Sequence, residues 1–372
     1  MSSSDCSPAS LEKQSTLATQ AALPEHFEVH YDVEPWEDLA LPKNHELVEN
    51  LRHLTFRHIV DISALMKGVF PPFKQLGHLE FIRTRIYLSL SGTNRFSSFQ
   101  FTLEHISFTT CSISKRSLAR LINYFLNLKS LTIYDLSSNY PHKEKVLRTP
   151  QISRTLEKLA INVAASVGSD PKLLKALWKK GLRFNELDLQ FFEQTTNCAW
   201  ASFVVHLFGA SAKCLRLPFF LDGRPNPLNS MKVHRDNLLL DLEFRDLELW
   251  RCLELCEFEL ETSMDLRNED LERISAIKSK KIEKIIFRRC GLKTIQEFPW
   301  AELDKILTNL AGQLEGDKKL EVQFRYGRGA FEPSDREISL PEFVKKGRVT
   351  IWDLEGKPVR CSGAGKSPGG EL

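Results

Sequence analysis

The most constraining feature of this 372-residue chain is an apolar frame that keeps returning. Windows with apolar residues at places one, four and six begin at Leu51, Leu76, Leu103, Leu128, Leu156, Phe184, Ala212, Phe244 and Ile282. The first six intervals between starts are 25 to 28 residues, and the last two, 32 and 38, imply insertions. Two windows, LEHISFTTCSI from Leu103 and IEKIIFRRCGL from Ile282, also share a cysteine at place nine. Places two, three and five were not used to find the windows, so they test the pattern independently. They hold 27 residues, of which Ala160, Cys214 and Ile286 alone are hydrophobic, whereas the chain average of 42% would put about eleven there. Each window therefore alternates between a wet and a dry face and predicts a short strand.

Helical signatures fill the gaps. SISKRSLARLINYFLN carries Leu118, Leu121, Ile122 and Phe125 at helical spacing, with Ser114 as its cap. Asp170 and Pro171 open DPKLLKALWKKG, which stops at Gly181. CAWASFVVHLFGAS, NEDLERISAIKSK and PWAELDKILTNLAG complete the set, the last framed by Pro299 and Gly312. Strand and helix alternating at roughly 20 to 29 residues is the period of leucine-rich repeats. The predicted fold is an α/β leucine-rich-repeat solenoid, a horseshoe with a parallel sheet on its concave side and helices on its convex side. One repeat cannot cover its own apolar edge. At roughly 2 kcal/mol per buried Leu, Ile or Phe, each repeat is stabilised only with neighbours on both sides.

At place nine an inward thiol serves as a small hydrophobe in the turn leaving the strand. Cys111, Cys252 and Cys290 occupy it, and Ile59, Thr84, Leu136, Ala164, Phe192 and Phe220 replace it elsewhere. The repeat domain is expected over 46–355, preceded by a disordered tail over 1–22 and a cap or linker over 23–45, and followed by a flexible tail over 356–372. KKLEVQFRYG and GRVTIWDL read as closing strands, and LDGRPNPLNSMKVHRDN as an insertion. The stretch DLEFRDLELWRCLELCEFELETSMD fits either two extended pieces or a strand and a hairpin.

Composition narrows the function classes. A net charge of +3, from 51 basic and 48 acidic residues, provides no strong field for nucleic acid or anionic lipid. No run approaches the roughly 20 apolar residues of a membrane helix. The opening MSSSDCSPASLEKQSTLATQ lacks the basic and then apolar order of a secretory signal, so a soluble cytoplasmic or nuclear protein is expected. The eight cysteines are scattered without paired C-x-x-C knuckles, which predicts reduced thiols. Cys252 and Cys256 lie four apart, but no second ligand pair lies nearby in sequence. Gly365, Lys366 and Ser367 echo a phosphate loop, yet Arg360 stands where the earlier glycine is needed and Pro368 replaces the start of a helix. No catalytic, metal-ligating or cofactor-binding residue is assigned, and no cofactor is expected.

The phrases LRHLTF, LGHLEF, LEHISF and LKSLTI, with Cys111 and Cys290 at place nine, resemble cysteine-containing leucine-rich repeats of the F-box type. More narrowly, FSSFQFTLEHISFTTCSISKRSLARLINYFLNLKSLTI is similar to fungal, mushroom-type F-box-like proteins, and the likeness runs over about residues 45 to 325. The resemblance implies repeats that hold substrates and an N-terminal helix bundle that docks on the adaptor of a cullin-type ubiquitin ligase. Leu23 and Pro24 echo the opening of such a bundle. His26, His30, Pro35, Pro42 and several acidic residues then interrupt its helical period. Ligase membership therefore follows from the resemblance alone.

Places three, five and seven face solvent. Place three reads His53, His78 and His105 in the first three windows, and parallel strands about 4.8 Å apart would align them in one column. Such a column offers a metal site or a charge near pH 6, but the sequence puts no carboxylate or thiol beside all three. Farther along, Glu186, Asp188, Asp246 and Glu248 predict an acidic face with Tyr134 and Trp250 as aromatic anchors. The reading is non-catalytic protein recognition by these nine residues on the concave face. The expected partner is a basic protein or peptide, and substrate selection for ubiquitination is the finer form of the reading. An enzyme with its site on the same face is the alternative, and a pocket of convergent ionisable groups would mark it.

Overall fold

The computed structural model describes residues 26–30, 50–58, 74–86, 102–137, 150–162, 171–190, 198–217, 247–261, 268–290, 299–326, 339–352 and 358–359. The strands are β1 (His26–His30), β2 (His53–Arg57), β3 (His78–Ile82), β4 (Arg85–Ile86), β5 (His105–Thr109), β6 (Cys111–Ile113), β7 (Ser130–Ile133) and β8 (Leu136–Ser137). They continue with β9 (Thr155–Asn162), β10 (Arg183–Gln190), β11 (Cys214–Leu217), β12 (Glu257–Glu261), β13 (Lys284–Cys290), β14 (Glu321–Tyr326), β15 (Arg348–Trp352) and β16 (Pro358–Val359). The helices are α1 (Lys115–Tyr124), α2 (Pro171–Lys179), α3 (Cys198–Phe208), α4 (Asn268–Ser275) and α5 (Trp300–Ala311).

Among the described residues, thirteen strands form one sheet in the order β1, β2, β3, β5, β7, β9, β10, β11, β12, β13, β14, β15, β16. Every neighbouring pair is parallel except β15 with β16. The register follows the apolar frame, so that Leu54, Leu79, Ile106, Leu131 and Leu159 stand side by side at place four. All five are buried, as are Phe56, Phe81, Phe108, Ile133 and Ile161 at place six. The phenyl rings stack from repeat to repeat, with centroids 5.5 Å apart from Phe56 to Phe81 and again from Phe81 to Phe108. Place one is sealed in the same way by Leu51, Leu76, Leu103, Leu128, Leu156, Phe184 and Ala212.

A second sheet explains place nine. His58, Arg83 and Thr110, all at place eight, take positive φ values of 57°, 49° and 54° and turn the chain sharply out of the first sheet. Short parallel strands β4, β6 and β8 then pair. Thr84 and Cys111 bond equivalent carbonyls at this corner. Thr84 Oγ1 donates to Ile82 O at 2.9 Å and Phe56 O at 3.3 Å, and Cys111 Sγ donates to Thr109 O at 3.3 Å and Phe81 O at 3.1 Å. The thiol is thus a hydrogen-bonding corner residue as well as a small hydrophobe. Burial pushes it up to about 12, which makes it a poor nucleophile.

The helices stop and start where their residues dictate. Ser114 accepts from Ser117 N at 3.1 Å as the cap of α1. Gly181, at φ 93°, ends the turn after α2, where a side chain would also press on Ser153 at 3.1 Å. Arg154 reaches back from the next repeat, and its guanidinium donates to Ile122 O in the last turn of α1 and to Phe125 O, Leu126 O and Leu128 O just beyond it. In the last helix Asp304 accepts from the backbone N–H of Glu342 and Phe343, at 3.1 and 2.8 Å, and so ties the closing segment to α5. No described helix is long and apolar enough to cross a membrane.

One expected window is displaced. In the frame beginning at Phe244 the described part, 247–252, is a loop with a 3-10 turn at Leu249–Arg251 and contains no strand. The strand hydrogen-bonded to β11 is β12, with Leu255, Phe258 and Leu260 in places one, four and six. Leu247, Leu249 and Cys252 are buried too, which is why the earlier frame mimics a strand. Cys252 fits because residue 209 is glycine, since a Cβ there would meet its sulfur at 2.8 Å. KKLEVQFRYG and GRVTIWDL do supply closing strands, β14 and β15, and β16 pairs antiparallel within the stretch read as a tail. Residues 1–22 and the insertion from 221 lie outside the described residues.

Candidate functional site

The in-register sheet brings His53, His78 and His105 into one column and adds His26 from β1. The imidazoles stack with centroids 4.2 Å apart for His26 and His53 and 4.1 Å for His53 and His78, and His78 and His105 are tilted at 5.9 Å. Hydroxyls and one carboxylate tether them. Thr55 Oγ1 donates to Glu80 Oε2 at 3.1 Å, so its oxygen is an acceptor for His26 Nε2 at 2.9 Å. Glu80 Oε2 also lies 3.6 Å from His53 Nε2. His78 Nε2 meets Ser107 Oγ at 3.1 Å, and His105 Nδ1 meets Ser130 Oγ at 2.6 Å. His26 is the member that sequence missed: it sits outside the nine windows, and only the pairing of β1 with β2 exposes it.

Burial pushes His78 down to about 4, the neighbouring His53 adds to this, and Glu80 opposes it. The close approach of His53, and then the hydrogen bond from Thr55, hold the Glu80 carboxyl below its usual range. His26, His53 and His78 turn ring faces toward one another, and His105 is tilted by 49° against His78. Among the described residues no three His, Cys, Asp or Glu side chains gather as metal ligands would.

Place five forms the floor between these walls. Thr55 and Ser107 are 1% and 5% exposed although they point away from the apolar core, because taller side chains at places three and seven flank them. Tyr134 stands at place seven on the edge of this strip. Burial first, then the carboxylates of Asp188 and Glu80, raise its phenol above the ordinary tyrosine range.

The acidic half expected beyond Tyr134 is instead charge-compensated. Lys158 Nζ lies 3.0 Å from Glu186 and 2.7 Å from Asp188, and Arg216 lies 2.9 Å from both Glu186 and Glu259. Arg288 closes on the other oxygen of Glu259, whose side chain is only 5% exposed. The carboxylates were legible in sequence, but their cations arrive from strands about 28 residues away. Glu248 and Trp250 leave the strand face altogether. Glu248 bonds His206 of α3 at 2.8 Å and Arg251 at 3.0 Å, and Trp250 is exposed with the Arg251 guanidinium 5.4 Å above its ring. Asp246 lies outside the described residues. On the same face, burial and then Glu257 raise the Cys214 thiol to about 12.

The period, the parallel register and the two-walled strand face define a leucine-rich-repeat solenoid, a fold whose broad concave sheet serves protein contact. No family model matches the chain, and no curated protein does either. Among solved structures it is similar to the leucine-rich repeat-containing protein LegL7 from Legionella pneumophila, at 12% identity over 91% of this chain and 94% of that one, with a TM-score of 0.40.

Proposed function

We propose that the chain is a non-catalytic protein-recognition scaffold that takes an extended segment of its partner across β1 to β7. The observation that carries this is the column of His26, His53, His78 and His105 above a floor of Thr55 and Ser107, beside Tyr134. The edges of the stacked imidazoles, beside a row of hydroxyls, give C–H contact and hydrogen bonds in alternation, which suits a peptide backbone with mixed side chains. The pairing of Glu186 and Asp188 with Lys158 and Arg216 speaks against a partner chosen for positive charge. Replacing His53, His78 and His105 together by Ala is expected to weaken a captured native partner at least about tenfold, or about 1.4 kcal/mol. Unchanged affinity in a variant that melts like the parent rejects the reading.

The finer form is substrate selection for a cullin-type ubiquitin ligase. Its support is the likeness of residues 45 to 325 to F-box-type repeats. Recovery of the ligase adaptor with the full chain tests it, and capture of a client without the adaptor counts against it.

A further inference from the structure

At the far end of the same face the charge balance changes. Across β13, β14 and β15 place three reads Lys284, Glu321 and Arg348, place five Ile286, Gln323 and Thr350, and place seven Arg288, Arg325 and Trp352, all in register. Lys284 is paired with Glu257 at 3.4 Å and Arg288 with Glu259. Glu321 is the carboxylate closest in the strand to Arg325, but its Oε1 accepts from Thr350 Oγ1 at 2.9 Å and from Gln323 Nε2 at 3.0 Å. Burial works against ionising Glu321, yet those two bonds and Arg348 keep its carboxyl below the usual range. Its charge is therefore held in place by neutral donors.

Gln323 passes the constraint on. Its Oε1 accepts from Arg325 Nη2 at 2.8 Å and Nε at 3.2 Å, while the guanidinium lies 5.8 Å from the Trp352 ring centroid. One edge of the fork and one face of the plane are thus occupied by uncharged groups. Arg325 has no carboxylate in ion-pair contact among the described residues, and its Nη1 has no acceptor there. The buried indole Nε1 of Trp352 also has no acceptor among the described residues. Exposed Arg348 lies on the adjoining strand, one more cation on this end of the face.

We infer that Arg325, aimed by Gln323 and Trp352, seats the carboxylate of an acidic side chain on a partner peptide lying across β13 to β15. The inference rests on the reading of the strand face as a protein-recognition surface, and it adds the class of residue that one end selects. A guanidinium pinned along one edge keeps its end-on pair of N–H donors free in fixed geometry, the arrangement that binds carboxylate bidentately with little ordering cost.

Fluorescence anisotropy of a labelled octaglutamate peptide with the full chain at low salt tests it, with octalysine as comparison. Arg325→Gln is expected to weaken octaglutamate about tenfold and Arg325→Lys by an intermediate factor, since it keeps the charge without the fork. Gln323→Leu keeps Arg325 but frees its edge, and is also expected to weaken binding. Circular dichroism and a thermal melt establish that each variant folds. The joint replacement of His53, His78 and His105 by Ala should leave octaglutamate binding unchanged, so that a failure here is distinguishable from a failure of the histidine strip. Equal affinity of parent and Arg325→Gln, equal binding of octalysine, or displacement of the peptide by inorganic phosphate at matched charge would overturn the inference.

Discussion

Acidification from pH 7.5 to 4.5 should weaken this fold through His78 before it reaches the carboxylates. In the folded chain His78 is held neutral down to about 4, by burial first and by its histidine neighbours next, against 6.5 for an ordinary histidine. In the unfolded chain it takes up a proton as pH falls through about 6.5, so the unfolded state binds more protons across this window. Stability from this group is complete above about 6.5 and is lost as pH falls toward 4. The full linkage across that gap is about 3.4 kcal/mol at about 1.36 kcal/mol per unit, and because the ring is only partly buried about 1–2 kcal/mol is expected. Glu80 acts in a lower window: its carboxyl is held down by His53, so its contribution is present above about 4.5 and is lost below that. Urea midpoints of the parent and His78→Gln at pH 7.5, 6.5, 5.5 and 4.5 separate the group from the general titration. The stability difference between the two chains should shift by about 1–2 kcal/mol against the parent over this range. Parallel pH curves would refute the reasoning.

Two further outcomes follow from the packing. Phe81→Ala removes the middle ring of the Phe56, Phe81, Phe108 stack at a site with no solvent exposure, and urea unfolding should show a loss of about 3–5 kcal/mol; a loss under about 1 kcal/mol would mean that the stack is not a core element. Arg154→Ala leaves four carbonyls at and just beyond the end of α1 without their shared donor, which should cost about 1–3 kcal/mol and speed amide exchange at the end of α1, whereas unaltered exchange there would show that the guanidinium does not hold that turn.

The parallel solenoid was readable because its apolar places are set by each strand alone. Leu76, Leu79 and Phe81 announce a dry face whatever lies beside them. What sequence could not weigh was competition between two equally good frames. Phe244 and Leu255 both open an apolar one, four, six pattern, and hydrogen bonding of Cys214 with the Glu257 strand decides for the second. The candidate site shows the same division. The histidine column was visible because all three members fall at place three of regular repeats, and His26 was hidden because its strand begins two residues after Pro24 in a stretch without a full window. The acids were visible singly, but the charge of the face depends on cross-strand pairs such as Lys158 with Asp188, and a sum along the chain does not reveal them.

The place-five residues explain why the face divides as it does. Flanked by taller neighbours, a polar side chain there is nearly buried and must find a partner beside it. Thr55 finds Glu80, Glu259 takes two arginines, and Gln323 joins Glu321 to Arg325. In the last case the acid is bound by neutral groups, and the cation at place seven meets Gln323 and Trp352 among the described residues. His78 and Arg325 are eight strand spacings apart in the sheet order, at most about 38 Å at about 4.8 Å each. An extended chain gains roughly 3.3 Å per residue, so some dozen residues are needed to reach from one to the other. An octapeptide engages one end only. A natural partner that depends on both must lay a long segment along the sheet or present two separate contacts, and groups this far apart without shared neighbours contribute to its affinity additively.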